Sequence, residues 1–182
     1  LVVGAGTADA AAFNVTNLND SGAGSLRQAI ADANSAGGAD VITFQAGLSG
    51  TITLTSGQLE ISDSVTIQGP GAAVLAVSGN NSSRVFYLYN NSATLDVTIS
   101  GITVTDGLAG GGGGISVWGE NLTLRDAVVT GNESTDSGGG VYFNVDGDAP
   151  EGSLRIYGTE ISENTAGGGT GAGIFPKSNA GA

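Results

Sequence analysis

The 182-residue chain has no cysteine, histidine or methionine. Without cysteine it has no disulfide, no thiolate nucleophile and no iron–sulfur or structural zinc site built on thiolates. Without histidine it lacks the base of Ser-His-Asp chemistry and the usual ligand of zinc and haem, and no cofactor is implied. Without methionine it has no initiator residue, which points to a processed chain or a piece of a longer one. Positive charge is scarce as well. Lys and Arg number 5 against 17 Asp and Glu, for a net charge of −12. A chain so acidic has no electrostatic footprint for nucleic acid and no basic amphipathic stretch for anionic lipid. No apolar run nears the ~18 residues of a membrane-spanning helix, so no direct membrane insertion of this segment is expected. Proline is rare (3), and the 33 glycines follow no G-X-Y period, which excludes collagen. Hydrophobic residues at 40% supply one sizeable core and argue against general disorder.

The first dozen residues are small and apolar. Ala8-Asp9-Ala10 and Ala10-Ala11-Ala12 each fit the small-x-small pattern of a signal-peptidase site. Residues 1–12 therefore read as a signal-peptide remnant, with a single domain over 13–182; a disordered Ala-rich terminus is the alternative. One helix is expected, over 25–36. Leu26, Ala29, Ile30 and Ala33 form an i, i+3, i+4, i+7 stripe, Ser25 and Gln28 have capping-box spacing, and Gly37-Gly38 closes the end.

After the helix the period becomes two. Short strand-like runs follow at Val41–Phe44, Thr51–Leu54, Leu59–Ile61, Val65–Ile67, Val74–Val77 and Val85–Tyr89, compatible with a sandwich or a stack of coils. The second half decides, because it repeats. Val97-Thr98-Ile99, Leu122-Thr123-Leu124 and Leu154-Arg155-Ile156 align, as do Val104, Val129 and Ile161. Ile99, Leu124 and Ile156 are spaced by 25 and 32 residues, the longer interval holding an insertion around Asn144–Gly152. Each row ends in a glycine run and an apolar residue: Gly114-Ile115, Gly140-Val141 and Gly173-Ile174. Helix-free repeats of this length are a solenoid signature. The fold expected is an all-β, right-handed parallel β-helix with an N-terminal capping α-helix. The nine aligned apolar residues should line one continuous core, Asn132 and Asn164 should pair at a corner, and Thr105, Thr130 and Ser162 should form an outward hydroxyl column.

Gly24-Ser25-Leu26-Arg27-Gln28-Ala29-Ile30, followed by Gly38-Ala39-Asp40-Val41-Ile42-Thr43-Phe44, resembles the N-terminal module of secreted bacterial β-helix proteins whose helix motif reads C-S-L-R-E-A-I. Gly113-Gly114-Ile115, Gly139-Gly140-Val141 and Ala172-Gly173-Ile174 resemble the G-G-A-I repeats of polymorphic outer-membrane proteins, which are autotransporter-like adhesins. Their F-x-x-N motif keeps its Asn at Asn132 and Asn164 but loses its Phe, and Gly24 stands where the module has Cys. The resemblance implies a pectate-lyase-like solenoid in a secreted or cell-surface passenger, of which this chain is the N-terminal part, and it implies no catalytic residues.

An enzyme is the rival reading. Many β-helices are polysaccharide lyases or glycoside hydrolases, and a glycosidase needs two carboxyls ~5–10 Å apart on one face. The outward columns Thr98/Thr123/Arg155 and Ser100/Arg125/Tyr157 hold no acid pair, and Gly131 separates Asp106 from Glu163. Glu160 and Glu163 read as solvated, and Arg125-Asp126 as a surface pair. Gly168–Gly173 lacks the Asp of a repeat-in-toxin calcium coil, leaving only Asp136, Asp146 and Asp148 as loop acids for weak calcium binding. An ice-binding Thr array is broken by Thr103/Val128/Glu160. The binding candidates are Tyr87 and Tyr89: if Phe86 and Leu88 face in, both tyrosines face out, where they can stack on sugars or anchor a protein. The opposite register places them in the core. Trp118, next to inward Val117, has packing as its default reading and half-exposure as the alternative. The expectation is an exported, non-enzymatic module with a structural or adhesive role, its partners surface glycans or host or cell-surface proteins. The alternative is the non-catalytic N-terminal part of a polysaccharide-active enzyme.

Overall fold

In a computed structural model, the structure describes residues 9–145, 152–168 and 170–178. The chain opens with β1 (Ala12–Val15) and α1 (Leu26–Ala36), and five coils follow. The first holds β2 (Asp40–Phe44), β3 (Gly50–Thr53) and β4 (Leu59–Ile61). The second holds β5 (Val65–Gln68), β6 (Leu75–Ser78) and β7 (Phe86–Tyr89). The third gains a fourth strand, with β8 (Asp96–Ser100), β9 (Thr103–Thr105), β10 (Leu108–Gly111) and β11 (Ile115–Trp118). The fourth repeats it as β12 (Asn121–Arg125), β13 (Val128–Thr130), β14 (Glu133–Ser137) and β15 (Val141–Val145). The fifth is β16 (Leu154–Tyr157), β17 (Glu160–Ser162), β18 (Thr165–Ala166) and β19 (Ile174–Ser178).

Stacked coils place equivalent strands side by side. The first sheet runs β1-β2-β5-β8-β12-β16, the second β3-β6-β9-β13-β17 and the third β4-β7-β11-β15-β19, with a short β10-β14-β18 sheet between the last two. Every pairing is parallel, so the fold is an all-β, solenoid-like stack with one helix. Alternation turns every second residue inward. Ile42, Ile67, Ile99 and Leu124 are register partners in the first sheet, Ile52, Val77, Val104 and Val129 in the second, and Leu59, Phe86, Ile115 and Val141 in the third. All twelve are buried in one cluster. The repeat thus reaches upstream through Ile67 to Ile42.

The fifth coil departs from the expected continuous core. Ile156 partners Leu124 but is 38% exposed, and Leu154 and Ile161 pack only partly against the cluster. These residues continue the inward columns, but β16 and β17 are edge strands with no further described coil on them.

The corners are set by backbone of left-handed φ. Gly101, Asp126 and Gly158 turn the chain out of the first sheet at φ 59°, 48° and 54°, and Asp106, Gly131 and Glu163 turn it out of the second at 50°, 64° and 53°. Side chains are tolerated in this second column because there is room: a Cβ on Gly131 would meet nothing nearer than Thr105 Oγ1, at 3.4 Å. At the entry to the third sheet there is none. A Cβ on Gly112 would lie 2.3 Å from the Ile115 carbonyl oxygen, so glycine is required there.

Asn132 and Asn164 do pair at a corner, but they are buried within it. Asn132 Nδ2 donates to Asn164 Oδ1 (2.9 Å) and to the Val104 carbonyl (3.0 Å), while its Oδ1 accepts the Gly107 N–H (2.9 Å). Asn164 Oδ1 also accepts the Asn132 N–H, and its Nδ2 donates to the Val129 carbonyl. The amides thus satisfy backbone groups that the sharp turn leaves without a ladder partner.

At the other end α1 packs against β1, β2 and β4, burying Leu26, Ala29, Ile30 and Ala33. Ser25 caps it by accepting the Gln28 N–H, but the Gln28 amide donates to Asp32, so only half of the capping box forms. Arg27 ties the helix to the first coil through the carbonyls of Gly57 (2.6 Å) and Gln58 (2.8 Å) and an ion pair with Asp20 (2.7 Å). The sheet begins at Ala12, and Ala11 already contributes its N–H to Asp40 Oδ1 and its carbonyl to Val41 N–H. Residues 1–8 of the expected signal remnant, and 146–151 of the expected insertion, lie outside the described residues.

Two outcomes follow from this packing. Leu124→Ala should lower unfolding free energy by ~2–5 kcal/mol, whereas Ile156→Ala, one rung away in the same column, should cost about 1 kcal/mol or less; denaturant unfolding of both variants checks the contrast. The Asp20 carboxyl is held at about 2: burial opposes its ionisation, but hydrogen bonds from Ser56, Arg27 and the Thr55 backbone, with the Arg27 charge, outweigh it. A lowered folded pKa gives stability that is complete above about pH 4 and lost as pH falls through about 2. The stability gap between the parent and Asp20→Asn should therefore be constant near neutrality and close on acidification.

Candidate functional site

The outward faces of the three sheets differ. The first sheet presents Thr66, Thr98, Thr123 and Arg155 in one column and Gln68, Ser100, Arg125 and Tyr157 in the next. The second presents the hydroxyl column Thr53, Ser78, Thr105, Thr130 and Ser162, beside Thr51, Ala76, Thr103, Val128 and Glu160. The third is aromatic. Phe86 and Leu88 are fully buried, so alternation sends Tyr87 and Tyr89 outward, and the core register is set aside. The column through Tyr87 continues as Ser116, Tyr142 and Phe175, and the column through Tyr89 as Trp118, Asn144 and Lys177.

The rings lie on one face in two groups, the β7 pair and the run from Trp118 through Tyr142 to Phe175. Tyr87 and Tyr89 have centroids 6.1 Å apart, Trp118 and Tyr142 6.1 Å, and Tyr142 and Phe175 5.8 Å in a stacked pair. Trp118 is 37% and Tyr89 44% exposed. The indole is held along its own strand, because Nε1 donates to Ser116 Oγ (3.1 Å). Ser116 is consequently buried, and the indole lies beside Tyr142 of β15. Arg84 lies 5.2 Å from the Tyr87 centroid. Its guanidinium is already bound to the carbonyls of Gly111 (2.7 Å) and Gly112 (2.9 Å) and to Gln58 Oε1 (2.8 Å). Burial raises the pKa of the Tyr87 hydroxyl, the Tyr89 and Glu60 charges push the same way, and Arg84 opposes them. The phenol is therefore a proton-bearing donor at neutral pH.

Polar groups flank the strip. Ser62, Asn90, Asn91 and Ser92 line with Tyr89 an open hollow of about 390 Å³. The turn that carries these asparagines is fixed by Glu120, whose carboxylate accepts the N–H groups of Asn90 (2.6 Å) and Leu95 (2.5 Å). Glu120 is buried, and desolvation raises its pKa against the pull of those two bonds.

Among the described residues the acids are dispersed. Asp106 accepts a hydrogen bond from Ser78, Glu160 accepts one from Ser162, and the glycine of Gly131 stands between Asp106 and Glu163. Arg125 does not pair with Asp126; it lies over the Tyr157 ring at 4.7 Å, and the one ion pair among the described residues is Arg27–Asp20. A side chain on a strand faces its register partner on the next coil, whereas its chain neighbour has turned the corner. No group of three acids that could hold a metal occurs among the described residues; Asp136 is on β14, and Asp146 and Asp148 lie outside them.

Sequence reasoning singled out Tyr87 and Tyr89 with both registers open, and missed Tyr142 and Phe175 as their companions on the face. The signal was present: with Ile115, Val141 and Ile174 aligned as inward residues, the next position of each row must face out. In comparisons with known proteins, no family model, no curated protein and no solved structure matches the chain.

Trp118 is the only tryptophan, so its emission reports on this strip alone. Tyr142→Ala removes the ring beside it and should shift Trp118 emission to the red and raise its quenching by acrylamide, with the fold retained by circular dichroism. Unchanged emission would show that the two rings are not in contact in solution.

Proposed function

We propose that this chain is an exported, non-enzymatic, right-handed parallel β-helix module with a structural or adhesive role at a bacterial cell surface, and that the aromatic face of the third sheet is its contact surface. One observation carries the proposal: four consecutive strands, β7, β11, β15 and β19, each set an aromatic ring on the same outward face. Rings that a solenoid leaves outside its core, fixed by neighbours and flanked by amides and hydroxyls, are suited to contact with glycans or surface proteins. The handedness follows the strong preference of parallel crossover connections. The resemblance of Ser25–Ile30 and of the glycine corners to secreted β-helix passengers supports export and surface location. The engagement of Asp106 and Glu160 by neighbouring hydroxyls, with Gly131 between Asp106 and Glu163, supports a binding role over hydrolysis.

The test is binding of the purified chain to arrayed glycans and to purified cell-surface proteins, beside a polysaccharide-degradation assay. At least one ligand should bind, the Tyr89→Ala, Trp118→Ala double variant should lose at least about tenfold in affinity, and no polysaccharide should be cleaved. Full binding by the double variant would remove the third sheet from the reading, and cleavage would replace it with an enzyme.

A further inference from the structure

Resting on the reading of the third sheet as the contact surface, we infer that its ligand is an unbranched, uncharged glycan chain lying along the stacking axis, one end seated in the hollow beside Tyr89.

The direction comes from the sheet. The rings occupy four neighbouring strands, so the strip crosses the strands and runs with the axis of the stack. Strands about 4.8 Å apart make it roughly 14 Å long between the outermost backbones. A single sugar covers one ring, and only a chain of several sugars covers Tyr89, Trp118, Tyr142 and Phe175 together.

The chemistry comes from what the strip holds and what it repels. The large exposed hydrophobic residues on this face are Tyr89 and Trp118, both flat rings; exposed Val74, Ile156 and Tyr157 belong to other parts of the stack, where Tyr157 is a lone ring under Arg125. Flat rings serve two kinds of extended polymer, by stacking on nucleobases or on the apolar faces of sugars. The net charge of −12 disfavours the first through its phosphates, and it disfavours chains of uronic acids for the same reason. The cations of the face do not reverse this: Arg84 is bound to Gly111, Gly112 and Gln58, which leaves Lys177 at one end. At the β7 end Ser62, Asn90, Asn91 and Ser92 offer amide and hydroxyl groups of the kind that bind sugar hydroxyls. Glu120 keeps that hollow in shape by holding both ends of the 90–95 turn.

The experiment titrates the chain with unbranched oligomers of glucose, of N-acetylglucosamine and of mannose, from disaccharide to hexasaccharide, and with oligogalacturonate. Trp118 emission reads the parent, and calorimetry reads the variants Trp118→Ala, Tyr142→Ala and Tyr142→Phe. Affinity for at least one neutral series should climb at least about tenfold from disaccharide to tetrasaccharide and then level. Trp118→Ala and Tyr142→Ala should flatten that climb, Tyr142→Phe should keep it, and oligogalacturonate should not bind. Equal affinity at all lengths, or equal binding of the uronate, overturns the inference and leaves the contact surface standing. So does Trp118-dependent binding of a surface protein with no glycan bound. Binding that ignores every ring variant, or no binding of any ligand, overturns both.

Discussion

The structure depends on one backbone constraint: each coil must turn back on itself within a few residues and arrive in register with the coil before. That demands left-handed backbone at corner after corner, and the composition follows from it. Glycine is needed at corners such as Gly112, where the carbonyl of Ile115, three residues on, occupies the space of a side chain. Asp and Glu stand at the same kind of corner in the second column, where there is room, at Asp106 and Glu163. The buried pair Asn132–Asn164 meets the other demand of a sharp turn, a partner for backbone groups removed from the ladder. With the corners fixed, strand pairing and the apolar columns need only residues of the right size at every second position.

Much of this could be read from the chain, because a stack of coils writes its spatial neighbours as a repeat. The columns Val97/Leu122, Ile99/Leu124 and Val104/Val129 are register partners as aligned, and the Ser25–Ala33 pattern gave both the helix and its buried face. The repeat carried no sign of where burial stops. Leu154, Ile156 and Ile161 have the same pattern as their partners, and only the lack of a described coil beyond them leaves them exposed. Adjacent charges misled at Arg125-Asp126, since sequence neighbours at a corner diverge while Tyr157 on the next coil comes alongside. The link from Arg27 to Asp20, Gly57 and Gln58 had no local signature, because it joins a helix to loops on either side of it.

The aromatic strip was half legible for a related reason. Tyr87 and Tyr89 share a strand and announce themselves as a pair, whereas Trp118, Tyr142 and Phe175 are scattered in the chain and meet only by stacking. The interior makes this face rigid. The rings of β7, β11 and β15 are mounted on strands whose alternate residues are locked in the core, and the indole is further held by Ser116 and Tyr142. Little conformational entropy remains for a ligand to remove, which is what a shallow, open surface needs to bind at all.

A stack of near-identical rungs invites mis-threading, in which one coil pairs with the wrong neighbour. Ile42, Ile67, Ile99, Leu124 and Ile156 stand 25, 32, 25 and 32 positions apart, so long and short coils alternate. A strand that slipped by one whole coil would keep its apolar column intact but bring a long connection where a short one fits. The unequal lengths thus act as a key for assembly, and editing every coil to a single consensus length would produce a more regular protein with more ways to fold wrongly.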